Sequence, residues 1–273
     1  MILDPGPTRV MGIVNVTPDS FSDGGDWFAH DRAIARGLEL TAEGAHLIDV
    51  GGESTRPGIT RTDPPEEARR VLPVVSALAQ SGVAVSVDTM RAEIAEASVA
   101  AGAALINDVS GGLADPRMLP VVADLGVPFV AMHWRAHSTT MQDLAHYDDV
   151  VADVYAELGA RAEAALAAGI AEDRLILDPG IGFAKTGEHN WALLRGLDVL
   201  AGLGFPLLIG VSRKRFLGKL LADADGERAP RERDDAGAAI TAILAGQGVW
   251  AVRTHSVRQH LDAVAVAEAL TAR

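Results

Sequence analysis

Short apolar runs recur along the whole chain, and most of their residues are β-branched or aliphatic. Each run is nearly continuous in apolar residues and does not alternate with polar ones, which is typical of strands buried on both faces of a parallel sheet. The pattern predicts eight strands, over residues 9–17, 46–53, 83–89, 104–111, 128–133, 175–180, 206–213 and 250–255.

The segments between these runs are rich in alanine and leucine at helical spacing, as in residues 148–169. Eight strand–helix alternations in about 250 residues predict an α/β fold, a (β/α)8 TIM barrel that forms a single domain over residues 1–273. A doubly wound open sheet is the alternative.

Residues 222–235 are predicted to be a charged surface loop. Glycines stand where the helices should end before the next strand, at Gly82, Gly102, Gly126 and Gly169.

A polar residue closes nearly every predicted strand. In a barrel the carboxyl ends of all strands converge on one mouth, which is where active sites lie. A single polar residue at a strand end often bonds only its own loop, but nine at equivalent positions indicate a binding mouth. These residues are Asn15, Glu53, Asp88, Asn107, His133, Asp178, Lys214, Arg253 and His255.

The polar ends fall into two chemical kinds. Asp88, Asn107 and Asp178 are compact acceptors or amides on three different strands, and together they suit a flat heterocycle with several N–H donors. The second kind is cationic and suits an anion. For Lys185 and Arg215 a solvated surface charge is an equally open interpretation. The cations are Arg56, Lys185, Arg213, Lys214, Arg215, Arg253 and His255.

Two further features favour an anion site after strands 7 and 8, where barrels commonly have one. Arg253 and His255 are two residues apart, so their side chains share one strand face. Ser212 is predicted to be the N-cap of the helix that begins in SRKRF, with the positive helix end behind it.

Composition narrows the function classes. The chain has 273 residues, is 48% hydrophobic and carries a net charge of -13, so it can bury a large core and lacks the basic balance of a nucleic-acid-binding protein. It has no cysteine, no secretory signal pattern and no apolar run of membrane-spanning length. We therefore expect a cytoplasmic protein with small-molecule substrates and no membrane or nucleic-acid partner.

Seven segments in this order resemble dihydropteroate synthase, over essentially the whole chain. The first two are long and highly specific, and the shorter ones gain weight from their order. They are MGIVNVTPDSFSDGG (11–25), DVGGESTRPG (49–58), SVDT (86–89), NDVSGG (107–112), LDPGIGFAKT (177–186), SRKRFLG (212–218) and VRTH (252–255). The resemblance implies a (β/α)8 barrel, usually a homodimer, that condenses 6-hydroxymethyl-7,8-dihydropterin diphosphate with 4-aminobenzoate to give 7,8-dihydropteroate and diphosphate.

The resemblance also assigns roles by matching position. Asn15 matches the ligand of Mg2+, the expected cofactor. The pterin site is matched by Asp88, Asn107, Asp178 and Lys214. Positions that hold the diphosphate are Thr55, Arg253 and His255, with Arg56 assisting. Positions expected near 4-aminobenzoate, and near the sulfonamides that mimic it, are Arg56, Pro57, Phe183 and Ser212.

The long loop after the first strand, TPDSFSDGG, is predicted to be a lid that includes Phe21 and Asp23. Loss of diphosphate would leave a carbocation-like pterin that water could trap, and an apolar ring over the site would exclude water. An ordinary ordered loop with Phe21 on the barrel rim is the alternative. No residue is assigned as a general acid or base, because an aniline-type nitrogen is already nucleophilic.

Three rival functions share parts of this pattern. They are a corrinoid-type pterin methyltransferase domain, a catalytically silent pterin-binding paralogue, and an aldolase-like barrel with Lys214 as a Schiff base. The sequence departs from the family in two places: Ser256 stands where aspartate is frequent, and RERDDAG before the last helix is unusually charged. Neither departure touches a matched ligand.

Overall fold

Eight parallel strands form the centre of the computed structural model, which describes residues 2–17, 26–54 and 61–271. Every predicted strand is present, although each is shorter than its apolar run because the run continues into the loop. The strands are β1 (Arg9–Asn15), β2 (Leu47–Gly51), β3 (Val85–Asp88), β4 (Leu105–Asp108), β5 (Phe129–Met132), β6 (Leu175–Asp178), β7 (Leu208–Ile209) and β8 (Ala251–Thr254).

The strands pair in the order β6-β5-β4-β3-β2-β1-β8-β7. A parallel bridge between Leu177 and Leu207 then joins β6 to the residues before β7, and the amide of Leu177 donates to the carbonyl of Pro206 at 2.9 Å. The sheet therefore closes into a single-domain TIM barrel, as predicted, and the open-sheet alternative is wrong.

Helices follow the strands and pack on the outside of the barrel. The predicted helix over 148–169 is α5, and it begins where the Asp149 carboxylate accepts from the amides of Val151 and Ala152. Gly126 ends α4 in the left-handed region at φ 63°, as its position predicts. The helices are α1 (Asp26–Ala42), α2 (Pro64–Gln80), α3 (Ala92–Ala100), α4 (Met118–Leu125), α5 (Val150–Ala167), α6 (Gly187–Arg195), α7 (Leu197–Ala201), α8 (Arg215–Leu220), α9 (Asp234–Gly246) and α10 (Val257–Thr271).

Alternation along the strands divides the core into two parts. Outward residues such as Val10, Ile48 and Val87 join the large apolar cluster between strands and helices. Inward residues near the amino ends form a separate apolar floor across the barrel. The floor consists of Met11, Leu47, Leu105, Val130, Ile176, Leu208, Trp250 and Ala251.

The charged segment 222–235 is only partly the predicted surface loop. Most of it is exposed, but Arg233 is buried at 7% exposure and α9 begins at Asp234. The helices of the described residues include none that is both long and apolar enough to cross a membrane.

Candidate active site

Above the apolar floor, the inward positions of four strands carry a hydrogen-bonded polar layer centred on Asp49. The Asp49 carboxylate is fully buried and accepts three bonds: from Ser86 Oγ at 2.5 Å, from Asn107 Nδ2 at 3.1 Å and from Arg253 Nε at 2.5 Å. A buried carboxylate persists only with such compensation. The Asn107 amide nitrogen faces Asp49, so the remaining amide atom, Oδ1, is an acceptor.

Asp88 pairs with Gly51, two residues nearer the mouth than Asp49, and shares Arg253 with Asp49. Arg253 donates from its terminal nitrogen NH2 to Asp88 Oδ2 at 2.9 Å. Burial raises the pKa of the Asp88 carboxyl to about 7, the Arg253 guanidinium opposes this, and the negative charge of Asp49 adds to it. Arg253 is thus fixed between two carboxylates inside the barrel and is not in a separate cluster of cations.

Asp178 and Lys214 lie together on the opposite side of the mouth. Asp178 Oδ1 accepts from the Gly180 amide at 2.7 Å, and Lys214 donates from Nζ to the Ile181 carbonyl. The ammonium also lies 4.7 Å from the centroid of the Phe183 ring. Burial lowers the pKa of Lys214 to about 8 against the opposing charge of Asp178, and burial raises the pKa of Asp178 against that of Lys214.

Lys185 is not a solvated surface charge, because it is 4% exposed. Its Nζ donates to His133 Nδ1 at 2.9 Å and to the Phe183 carbonyl at 3.0 Å. Burial lowers the pKa of Lys185 to about 7, and the Asp178 charge opposes this. The Nε2 atom of His133 in turn lies 2.9 Å from the Glu157 carboxylate. Lys185 and His133 therefore hold the loop that carries Phe183 in place.

Ser212 does not cap the helix after β7, contrary to the prediction. Lys214 occupies the N-cap position of α8 and makes no side-chain cap bond, because α8 begins only at Arg215. Ser212 Oγ instead accepts from the His255 amide at 3.2 Å and lies 3.0 Å from His255 Nδ1. Ser212 and His255, which follow β7 and β8, are therefore in direct contact at the mouth.

Arg213 and Arg215 are both engaged by carboxylates. Arg213 pairs with Asp234 through two bonds, at 2.9 and 2.8 Å, and the exposed Arg215 pairs with Glu227 at 2.9 and 3.0 Å. Surface pairs such as the second contribute little to stability.

Glu53, predicted as a strand-end ligand, belongs to an ion-pair cluster next to the mouth. It accepts from Arg61 at 2.9 Å and from Arg91 at 2.7 Å, and Arg91 also bonds Glu67. Arg91 donates to the Thr62 carbonyl as well, at 2.5 Å. This cluster ties Glu53, Arg61 and Thr62 to Arg91, which follows β3.

An apolar wall at the mouth was not among the predicted site residues. Met90, Val109 and Met132 form a small buried cluster against Phe183. A cavity of about 10 Å³ opens beside them, with Trp134 and His137 also in its lining. Asp49 was likewise missed; an aspartate within the apolar run LIDVG is the signal that could have revealed it.

Several predicted residues are not covered by the structure. Phe21, Asp23, Thr55, Arg56 and Pro57 lie outside the described residues. Asn15 is described: it ends β1, pairs with Gly51 of β2 and is half-buried at the same mouth.

Comparisons with known proteins agree with this geometry. Residues 11–255 match the pterin binding enzyme family. The dihydropteroate synthase of Mycobacterium leprae is 53% identical over 262 residues, which is 95% of this chain and 92% of that protein. The structure of Xanthomonas albilineans dihydropteroate synthase with 4-aminobenzoic acid superimposes with a TM-score of 0.90 at 47% identity, covering 99% and 95% of the two chains. Its complex with 7,8-dihydropteroate gives 0.87 at 44%, with the same coverage.

Proposed function

The chain belongs to the dihydropteroate synthase family of pterin-binding enzymes, and from this premise we propose how its own residues perform the family's reaction. The enzyme is a transferase that condenses 6-hydroxymethyl-7,8-dihydropterin diphosphate with 4-aminobenzoate, giving 7,8-dihydropteroate and diphosphate. The observation that carries our assignment of roles is the convergence of Asp88, Asn107, Asp178 and Lys214 on one mouth, above the polar layer held by Asp49.

The pterin ring is recognised by complementary hydrogen-bonding groups. Its ring and exocyclic N–H groups are donors, and Asp88, Asp178 and Asn107 Oδ1 are acceptors from three strands. Lys214 supplies the donor for a ring acceptor and lies beside the Phe183 ring. The apolar wall packs against the faces of the heterocycle.

One bond to the pterin methylene carbon breaks and another forms in the reaction. The bond between the pterin methylene carbon and the diphosphate oxygen breaks, and its electron pair leaves with the diphosphate. The amine nitrogen of 4-aminobenzoate then donates its lone pair to the methylene carbon and afterwards loses a proton to solvent. Positive charge that develops on the pterin between these steps is stabilised by the Asp88 and Asp178 carboxylates, which are already fixed by Arg253 and Gly180.

The donors near the mouth fit a magnesium ion held mainly by the substrate. Mg²⁺ keeps several waters and binds diphosphate oxygens with only one or two protein oxygens. Asn15 offers one amide oxygen at the carboxyl end of β1. When bound, the ion would offset negative charge on the departing diphosphate. His255 is assigned to the same diphosphate group, and the diphosphate roles of Thr55 and Arg56 stay predictions from the sequence.

We also propose that the protein forms a homodimer and acts in the cytoplasm. Apolar side chains on α9 and α10 support a dimer: Ile243 is 64%, Val266 55% and Leu270 81% exposed. Analytical ultracentrifugation should show a dimer that Ile243→Glu dissociates. Sedimentation of the unchanged protein as a monomer at all concentrations would contradict this proposal.

Diphosphate release tests the function directly. The protein should release diphosphate from the pterin diphosphate rapidly only with magnesium, and should form dihydropteroate when 4-aminobenzoate is added. Asp178→Asn should reduce both, whereas Asp124→Asn, an exposed change on α4, should reduce neither. Pterin binding without any diphosphate release would instead favour a silent pterin-binding protein.

A further inference from the structure

The turn that joins β7 to α8 contains an unusual backbone conformation. The Lys214 amide donates to the Val211 carbonyl at 3.2 Å and closes the turn. Its third residue, Arg213, has φ 59°, in the left-handed region where glycine or asparagine is usual. Arg213 stands between two site residues, Ser212 and Lys214, so its backbone decides where both side chains lie. Strained backbone of this kind persists only where surrounding contacts hold it.

The start of α9 supplies such contacts from both sides of Arg213. The Arg213 guanidinium makes two bonds to the Asp234 carboxylate, from Nε at 2.9 Å and from NH2 at 2.8 Å. The Arg213 carbonyl accepts from the NH1 atom of Arg233 at 2.9 Å. The side chain and the backbone of the strained residue are therefore fixed by two consecutive residues of the unusually charged RERDDAG segment.

Arg233 is itself held in place by packing on α8. It is buried at 7% exposure and donates from Nε to the Arg228 carbonyl at 2.6 Å. The Arg228 amide donates back to Gly218 of α8 at 3.2 Å. A Cβ on Gly218 would lie 2.5 Å from Arg233 Cζ, so only glycine lets the guanidinium lie against the helix. This contact gives a physical reason for the last glycine of SRKRFLG.

We propose that Arg233 and Asp234 are positioning residues that hold Arg213 in its left-handed conformation and so set Ser212 against His255 and Lys214 against Phe183. The inference rests on the proposed function, because Ser212, Lys214 and His255 act in that reaction. Neither Arg233 nor Asp234 touches the substrate. Arg213 belongs to the same set of contacts and is not an anion ligand.

Asp234→Asn and Arg233→Met test the proposal, with Asp124→Asn on α4 and Arg69→Met on α2 as matched controls, since both of these residues are exposed and lie outside the site. Each test variant should lower kcat/KM for dihydropteroate formation by about tenfold or more, the value of one charge-assisted bond. Amide exchange at Lys214 should become faster. The controls should leave both quantities unchanged.

Glycine at position 213 provides the decisive background, because it adopts positive φ without strain. In Arg213→Gly, adding Asp234→Asn should change kcat/KM by less than about twofold, since the paired guanidinium is gone. Adding Arg233→Met should cost much less than it does in the unchanged chain. Equal losses in both backgrounds would show that these residues only stabilise the fold, and unchanged activity and exchange in the single variants would also overturn the proposal.

The two proposals fail in different ways. If the unchanged enzyme does not form dihydropteroate, the proposed function is wrong, while amide exchange at Lys214 still reports on the turn. If Arg233→Met does not fold, the test is the comparison of Asp234→Asn in the unchanged chain with Asp234→Asn in Arg213→Gly. Melting temperatures confirm that these variants fold.

Discussion

Replacing Asp49 by asparagine would test whether the polar layer holds the active site together. Asparagine preserves the shape of the side chain but removes its charge. Its Oδ1 can still accept from Asn107 and Arg253, and Ser86 can rotate its hydroxyl to accept from the new amide. The variant thus keeps three bonds but loses the ionic part of each.

The magnitude follows from these three bonds. A bond to a charged group contributes about 1 kcal/mol more than a neutral one, which gives a loss of about 3 kcal/mol in the free energy of unfolding. Breaking a buried ion pair costs about 3–5 kcal/mol. Arg253 keeps Asp88 as a partner, so we expect the lower end of that range.

The same change should shift the pH dependence of pterin binding. Asp88 must be ionised to accept from the pterin donors, and its pKa is raised to about 7. Affinity should therefore rise as the pH increases through about 7, and fall by up to about tenfold per pH unit below it. The charge of Asp49 contributes to that raised pKa, so in Asp49→Asn the rise should occur at lower pH.

Urea unfolding followed by tryptophan fluorescence and calorimetry with a pterin between pH 5.5 and 8.5 would measure both effects. Asp124→Asn, an exposed change on α4, is the control for removal of a carboxylate as such. If Asp49→Asn unfolds at the urea concentration of the unchanged protein and keeps its pH profile, the carboxylate neither stabilises the barrel nor acts on Asp88.

Three further predictions concern other parts of the site. Asp178→Asn should weaken pterin binding by roughly 1.5–3 kcal/mol in calorimetry, the value of a charge-assisted bond, and unchanged affinity would remove Asp178 from the pterin site. Lys185→Met should reduce kcat/KM and lower the free energy of unfolding by roughly 1–3 kcal/mol, because His133 and the Phe183 carbonyl lose their donor, whereas Lys219→Met, an exposed change, should do neither. Phe21→Ala should fold normally but release hydroxymethylpterin by hydrolysis, and chromatography that finds no such product would refute the lid interpretation.

The sequence alone determined the number and order of the elements. Eight apolar runs were sufficient because strands buried on both faces need near-continuous apolar residues, and the polar residue that ends each run marked the mouth. That argument located Asp88, Asn107, Asp178 and Lys214 without any contact being known. The roles of Thr55, Arg56 and Pro57 come from the resemblance alone and stay predictions.

Tertiary structure decided which polar groups pair with one another. Arg253 and Asp49 are 204 positions apart, and only the pairing of β1 with both β8 and β2 brings them within 2.5 Å. Lys185 was ambiguous because burial depends on how a loop folds back, and Ser212 was misassigned as a cap because the helix begins three residues later, at Arg215. The local sequence pattern predicts which residues face inward. Charge pairing and pKa values depend instead on groups that are close in space and distant along the chain.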